Sequence, residues 1–508
     1  MGADAGSRSE WRHLLPIPGL DEDRVDASSP LKVVVAVGPG LADRQAVQHL
    51  TWLLVTLLTR STKWVVAAVG ISSDDAPLRD GVDPGHPDGG LSLLDTLKAT
   101  AGAFGPEAAP VVDAHELPGA DLVLQIGGPA ARAWPDAEVL HVSAAGWTGA
   151  VTPAAAGAPP LGMSGENPFG SYVAACLAAC QVYLHARVRD HRIQAVVLNA
   201  WTLTQSTVDP GEPAAELDHV LAGVGAVGTA LLVTLWAYPE VAGTIRAADA
   251  DLEGIDDTNL SRCVPFRWTD LHRPKAIVAA DRLSGRHGLV IEGIFGTAEN
   301  LVEPRSHLIS AVDTPEARQA LQDKYPASAV QAATSGLRLE MLRVDPTAGT
   351  ACLRCFNPPR KVTPDSEVRS RIANMDENDV AAHAAAVGAN PAQVREWGRV
   401  GGCGRIGDAL LDRLRPSDGR DAQFSVGFMS VLAGVLLAGQ VLKDAVARAG
   451  DPERIAASVP LAGENARFVT NLLAPANAPA GVRRYSRDGE CPACQGIRAE
   501  VWANRWTG

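Results

Sequence analysis

The chain has no surplus of basic residues: 45 Lys and Arg face 58 Asp and Glu, a formal net charge of −13. No basic stripe offsets that balance, so a nucleic-acid partner is not expected. Cysteine is scarce, eight in 508 residues, which argues against a disulfide scaffold and fits a reducing compartment. The opening MGADAGSRSEWRH lacks the basic-then-apolar order of a secretory signal. A clean membrane span is missing as well. Residues 49–58 are too short to cross a bilayer, and 424–442 carries Ser425, Ser430, Gln440 and three glycines. That second stretch reads as a helix buried between domains, and the protein as cytoplasmic and soluble. No short-period repeat is visible. What remains is ordinary globular composition, 46% hydrophobic and 20% charged, in a chain long enough for two to four domains.

Continuous apolar runs at 32–37 (KVVVAV), 64–70 and 121–127 read as strands covered on both faces, with a helix over 48–58. Residues 150–160 read as a loop, 167–188 as an apolar helix and 194–199 as a strand. This first half has no phosphate-binding fingerprint: its GPG at 38–40 puts a proline where an N–H donor is wanted. The second half opens with a strand at 219–222, the glycine loop GVGAVG at 223–228 and a helix to 237. Strands are expected at 243–248 and 307–312, helices at 273–284 and 315–324, and a hairpin at 340–351. Residues 357–420 read as an exposed, partly helical insertion, and 424–446 as an apolar helix resembling that at 167–188. The expected division is 1–200, 201–356, 357–422 and 423–508, and the fold class is α/β.

Two features carry chemistry. Gly223, Gly225 and Gly228 let the backbone approach a nucleotide phosphate at a helix N-terminus. Asp249 stands 21 positions after Gly228, where an acid meets ribose hydroxyls; a plain strand-end acid satisfies the same spacing. The second feature is a pair of Cys-x-x-Cys motifs, Cys352–Cys355 and Cys491–Cys494. Together they offer four thiolates, the set that structural zinc prefers. To this point an NAD(P)-dependent oxidoreductase with structural zinc is as good a reading as an ATP user. The next residues favour ATP: Asp251, Asn259, Arg262, Lys275 and Asp313 supply donors for a triphosphate and a carboxylate for Mg²⁺.

In this order the motifs resemble the E1-like adenylating family, the ubiquitin-activating enzymes and their bacterial ThiF–MoeB–HesA relatives. The resemblance implies a Rossmann-like adenylation domain with a zinc-stapled C-terminal lobe, preceded by a degenerate α/β half that forms a pseudodimer. It implies that Gly223, Gly225 and Gly228 line the nucleotide, that Asp249 holds the ribose, and that Asn259 and Arg262 face the phosphates. Lys275 matches the family's nucleotide-binding lysine and Asp313 its magnesium aspartate; Cys352, Cys355, Cys491 and Cys494 match its zinc ligands. Cys263 stands where the family commonly has Gln, and reads as a packed thiol. The implied reaction is MgATP-dependent adenylation of the C-terminal glycine of a small ubiquitin-like protein. Cys403, in GGCGRIGD, then accepts the acyl group as a thioester, or is a loop cysteine of no consequence. An E2-like acceptor is the expected next partner, and the protein is expected to act as a pseudodimer or homodimer. Three rivals remain: a sulfur-carrier or peptide adenylyltransferase that stops at the adenylate, the oxidoreductase, and a non-catalytic scaffold.

Overall fold

The computed structural model describes Ile17 and residues 30–61, 65–86, 91–128, 132–157, 161–345, 349–357, 365–386, 389–400, 426–450, 467–473, 481–483, 485–495, 500–502 and 504. The first half runs β1 (Leu31–Val37), α1 (Gln45–Arg60), β2 (Val66–Ser72), α2 (Leu93–Phe104), β3 (Val111–Asp113), β4 (Leu122–Ile126), β5 (Glu138–Ala145), β6 (Thr148–Pro153), α3 (Phe169–Arg187) and β7 (Val196–Asn199). The second half runs β8 (Ala215–Ala222), α4 (Ala226–Ala237), β9 (Val241–Asp249), α5 (Asp257–Leu260), α6 (Lys275–Leu283), β10 (Leu289–Phe295), β11 (His307–Ser310), α7 (Pro315–Gln322), β12 (Ser328–Ser335), β13 (Arg338–Val344) and α8 (Leu353–Phe356). After three further helices, α9 (Asp365–Asn374), α10 (Glu377–Ala386) and α11 (Pro391–Val400), come α12 (Gly427–Arg448), β14 (Arg467–Asn471) and β15 (Gly481–Arg483).

Two mixed sheets result, and their strand orders match. The first is β3-β2-β1-β4-β5-β6-β7, the second β10-β9-β8-β11-β12-β13-β14-β15. In each, the five leading strands pair in parallel and the later ones antiparallel. Each half therefore holds the same Rossmann-like unit, and α1 and α3 correspond to α4 and α12. The expected pseudodimer lies within one chain. Its seam is specific. Asp80 pairs with Arg286, whose guanidinium also sits over the Trp236 ring at 5.1 Å. A Cβ on Gly85 would lie 1.3 Å from the Arg267 guanidinium, so that glycine leaves the space Arg267 fills.

The two long apolar helices, α3 and α12, face each other at the centre. Both are long and apolar enough to cross a membrane, but nearly all of each is buried within the protein. Tyr183 and Phe428 meet there at 5.6 Å. A side chain at Gly434 would strike Val227 O of α4 at 2.6 Å, and this close helix–helix approach is what the glycine allows.

Several expected boundaries shift. The strand expected at 219–222 begins at Ala215, because Glu216 and Asp218 are its exposed face while Ala215 and Leu217 are buried. The loop expected over 150–160 is partly β6, since Ala150 and Val151 fill the core against α3. The hairpin expected at 340–351 lies earlier, β12 and β13 paired from Ser335↔Arg338 back to Ala329↔Val344. Residues 358–423 form a separate compact unit. It buries Val368, Ile372, Val380, Ala384, Val394 and Trp397 in a small core of its own, joining α9, α10 and α11.

Candidate nucleotide site and metal centre

The second sheet changes direction between β8 and β11: one crossover runs to β9 and β10, the other to β12. In such sheets the crevice at the carboxyl ends of the strands at this point receives ligands. The glycine loop follows β8, and Asp249 and Asp251 follow β9. Asp313 follows β11. Three of the expected segments thus leave the same edge of one parallel sheet.

The loop's geometry explains its glycines. Gly223 has φ +90°, the left-handed region, and a Cβ there would lie 2.9 Å from the Ala311 carbonyl group. A Cβ on Gly228 would lie 2.1 Å from Gly223 O. These two residues close the turn against β11 and against itself. Gly225 differs: among the described residues no atom lies within 4 Å of where its Cβ would stand. It is the N-cap of α4, and no side chain caps it. The loop is tight below and open above, the form of a phosphate cradle.

Asp249 holds the loop in shape. Its Oδ2 accepts the Val224 N–H at 2.8 Å and its Oδ1 accepts the Asp251 N–H at 3.0 Å. Asp251 in turn pairs with Lys275, the first residue of α6. Burial opposes the charge on Lys275, but the Asp251 hydrogen bond and the Asp249 and Asp251 charges outweigh it and raise its pKa. The ammonium is therefore kept protonated beside the loop.

Asn259 is buried and has a local task. Asp256 accepts the Asn259 N–H at 2.9 Å, and the Asn259 side-chain oxygen accepts the Asp256 N–H at 3.0 Å, a reciprocal cap at the start of α5. Arg262 is half-buried, its Nε donating to Thr258 O at 3.1 Å. Cys263 is fully buried, and burial pushes its thiol upward. Asp313 is exposed. The sequence gives no sign of the residue that fixes its neighbour: Arg318 donates to Val312 O through Nε at 3.1 Å and Nη2 at 2.8 Å. The same guanidinium donates to Asn357 Oδ1 at 2.8 Å, and Gln319 to Asn357 O at 2.8 Å. The Asp313 segment is thereby bolted to the end of α8. Cys403 lies outside the described residues.

The first half keeps part of the frame of such a site. Gly40 N–H donates to Asp74 Oδ2 at 2.9 Å, the counterpart of Val224 and Asp249. Gly40 itself has no atom within 4 Å of where its Cβ would stand. The crowding lies beside the loop, after β4, where a Cβ on Gly127 would meet Leu41 Cδ1 at 2.7 Å and Met163 Cγ at 2.6 Å.

The four cysteines converge. All are buried, and their sulfurs lie within 4.8 Å of one another. Cys352 and Cys491 are 3.6 Å apart, Cys352 and Cys355 3.7 Å, Cys355 and Cys494 3.1 Å. Zinc–sulfur bonds of about 2.3 Å in a tetrahedron set sulfurs about 3.8 Å apart, so the set fits one zinc ion with no position left for substrate. Hydrogen bonds from Cys352 and Cys494 and from the Asp488 amide lower the Cys355 pKa, the thiolate a metal needs. His307 lies with its ring tilted 41° to that of His219, centroids 5.6 Å apart, and meets Ser328 Oγ at 2.9 Å.

The ThiF family model matches residues 212–470, just over half of the chain. No curated protein matches. Among solved structures the chain is similar to Escherichia coli MccB crystallised with MccA-N7isoASN, at 17% identity and TM-score 0.35, over 56% of this chain and 68% of that one. MccB with succinimide gives 16% identity, coverage of 55% and 67%, and TM-score 0.34. MccB with selenomethionyl MccA gives 16%, 55%, 66% and 0.33. A match running from the strand before the glycine loop through the long apolar helix is more than a coincidence of short motifs: the chain belongs to the ThiF family of E1-like adenylating enzymes.

Proposed function

We propose that the protein adenylates the C-terminal glycine carboxylate of a small ubiquitin-like protein, using MgATP at the second-half crevice. The observation that carries this reading is the convergence at one sheet edge of an open glycine loop, a protonated Lys275 and the Asp313 segment. The carboxylate oxygen attacks the α-phosphorus, the bond from that phosphorus to the bridging oxygen breaks, and pyrophosphate leaves. The loop N–H groups and Lys275 bind phosphate oxygens, and Arg262 meets the charge that grows on the α-phosphate. Asp249 is the ribose acceptor, with Asp251 holding Lys275 in place. Asp313 is the magnesium ligand, and the ion neutralises charge on the departing pyrophosphate when bound. Zinc on the four cysteines is structural. Cys403 takes the acyl group from the adenylate as a thioester, releasing AMP.

ATP–pyrophosphate exchange with the acceptor protein tests the first step. Asp313→Ala is expected to lower exchange at least about a hundredfold while circular dichroism stays that of the wild type. Exchange at the wild-type rate would remove Asp313 from the mechanism. The second step is read from a thiol-sensitive adduct on gels: it vanishes in Cys403→Ala if that residue is the carrier. An adduct absent from the active wild type favours a reaction that ends at the adenylate.

A further inference from the structure

The first half sends a buried cation across the seam. Arg60 stands in the last turn of α1 and is 4% exposed. Its Nη1 donates to Leu260 O at 2.9 Å and to Cys263 O at 2.8 Å; its Nη2 donates to Phe266 O at 2.9 Å. Phe104 of α2 lies under the guanidinium, 5.9 Å from Cζ to the ring centroid.

Those three carbonyls belong to the end of α5 and the turn that leaves it. This is the segment that presents Arg262. A helix of four residues cannot hold itself together, since its end groups are most of its backbone. The Asp256–Asn259 cap secures the start of α5. Arg60, from the other half of the chain, secures its end. A planar guanidinium reaching three carbonyls at once fixes their relative positions as a single-point donor cannot.

Charge bears on the clamp as well. Burial opposes the Arg60 charge, Arg267 and Arg282 oppose it too, and Asp83, which also faces Arg267 at 3.8 Å, favours it. The two Nη atoms are met by carbonyl dipoles, while Nε has no hydrogen-bond partner among the described residues.

We infer that Arg60 is a positioning residue for the nucleotide site: from the first half, it fixes the α5–Arg262 segment in its binding geometry. Part of this rests on the adenylation reading, which gives the segment its task; the clamp itself does not. The half that carries the glycine loop is therefore incomplete without the other half.

The test compares wild type, Arg60→Met, Arg262→Ala and the double variant in the full chain. In hydrogen–deuterium exchange, Arg60→Met is expected to speed exchange across 260–266 at least about tenfold and leave 226–237 unchanged. Titration with a fluorescent ATP analogue is expected to show affinity weakened about tenfold by Arg60→Met, with little further loss when it is added to Arg262→Ala. A general loss of stability would instead multiply through both backgrounds. Unchanged exchange at 260–266, or effects that multiply, overturns the proposal. If Arg60→Met does not fold, Arg60→Lys keeps the charge but not the fork, and the same comparison is made with it. A wild type that binds no ATP while the exchange contrast holds defeats the adenylation reading and leaves the clamp standing.

Discussion

At the scale of single residues, the glycine loop is strict where it touches itself. Gly228→Ala would place a methyl 2.1 Å from Gly223 O, a backbone atom that cannot step aside. The expected cost is about 1–3 kcal/mol of stability and loss of ATP binding, read from urea midpoints and ligand titration. Gly225→Ala has free space at the same loop and is expected to fold normally. Lys443 gives a pH-dependent outcome. It is 3% exposed, donates to Trp201 O, and faces Asp444 and Arg343; burial lowers its pKa to about 7 from 10.5. Between those values the folded state releases a proton that the unfolded state keeps, so stability rises with pH through this window and is flat below it. Its share of the rise from pH 7 to 9 is about 2 kcal/mol, and Lys443→Met is expected to remove that share from the urea profile. An identical profile in the variant removes Lys443 as the source. The glycines, aspartates and cysteines of the site were legible because spacing along the chain marks them. Arg60 and Arg318 were not: Arg60 acts on carbonyls of the other half and Arg318 on the side chain of Asn357 as well as the nearby Val312 O, and an arginine in a helix looks the same whether solvated or buried.

At the scale of elements, the parallel strands were legible as apolar runs and the long helices as longer ones. What misled was mixed exposure. The first residues of β8 alternate in burial and read as loop, and β6 hides in an Ala- and Gly-rich stretch. Asn259 has a structural task that its motif does not reveal: its side-chain oxygen closes the first turn of α5. The four-cysteine lobe joins α8 to the chain near its end, and Arg318 ties α8 to the Asp313 segment. One zinc per chain is expected by elemental analysis. Chelation or Cys491→Ser is expected to destabilise this lobe on the order of 5 kcal/mol, a fraction of the affinity of isolated zinc modules. Full metal content in Cys491→Ser would show that the site is something other than these four thiols.

At the scale of the whole molecule, the sequence showed a coarse resemblance between two apolar helices, and the structure turns it into two sheets of the same strand order. A degenerate first half was expected; the shared strand order itself was not legible, because it lies in hydrogen-bonded neighbours rather than in shared residues. The halves differ in the loop itself: the first has GPG at 38–40, with a proline in place of an N–H donor, and the second GVGAVG at 223–228. Calorimetric titration is therefore expected to give one ATP per chain. Two equivalents would mean that the first loop also binds nucleotide.

The mutual burial of α3 and α12 has a consequence for how the protein is made. Some 240 residues separate Arg187 from Gly427. At about 5–20 residues per second, a ribosome that has finished α3 needs roughly 12–48 seconds more to deliver its mate. For that time the nascent first half holds a greasy rod with one side uncovered, a natural client for a chaperone at the exit tunnel.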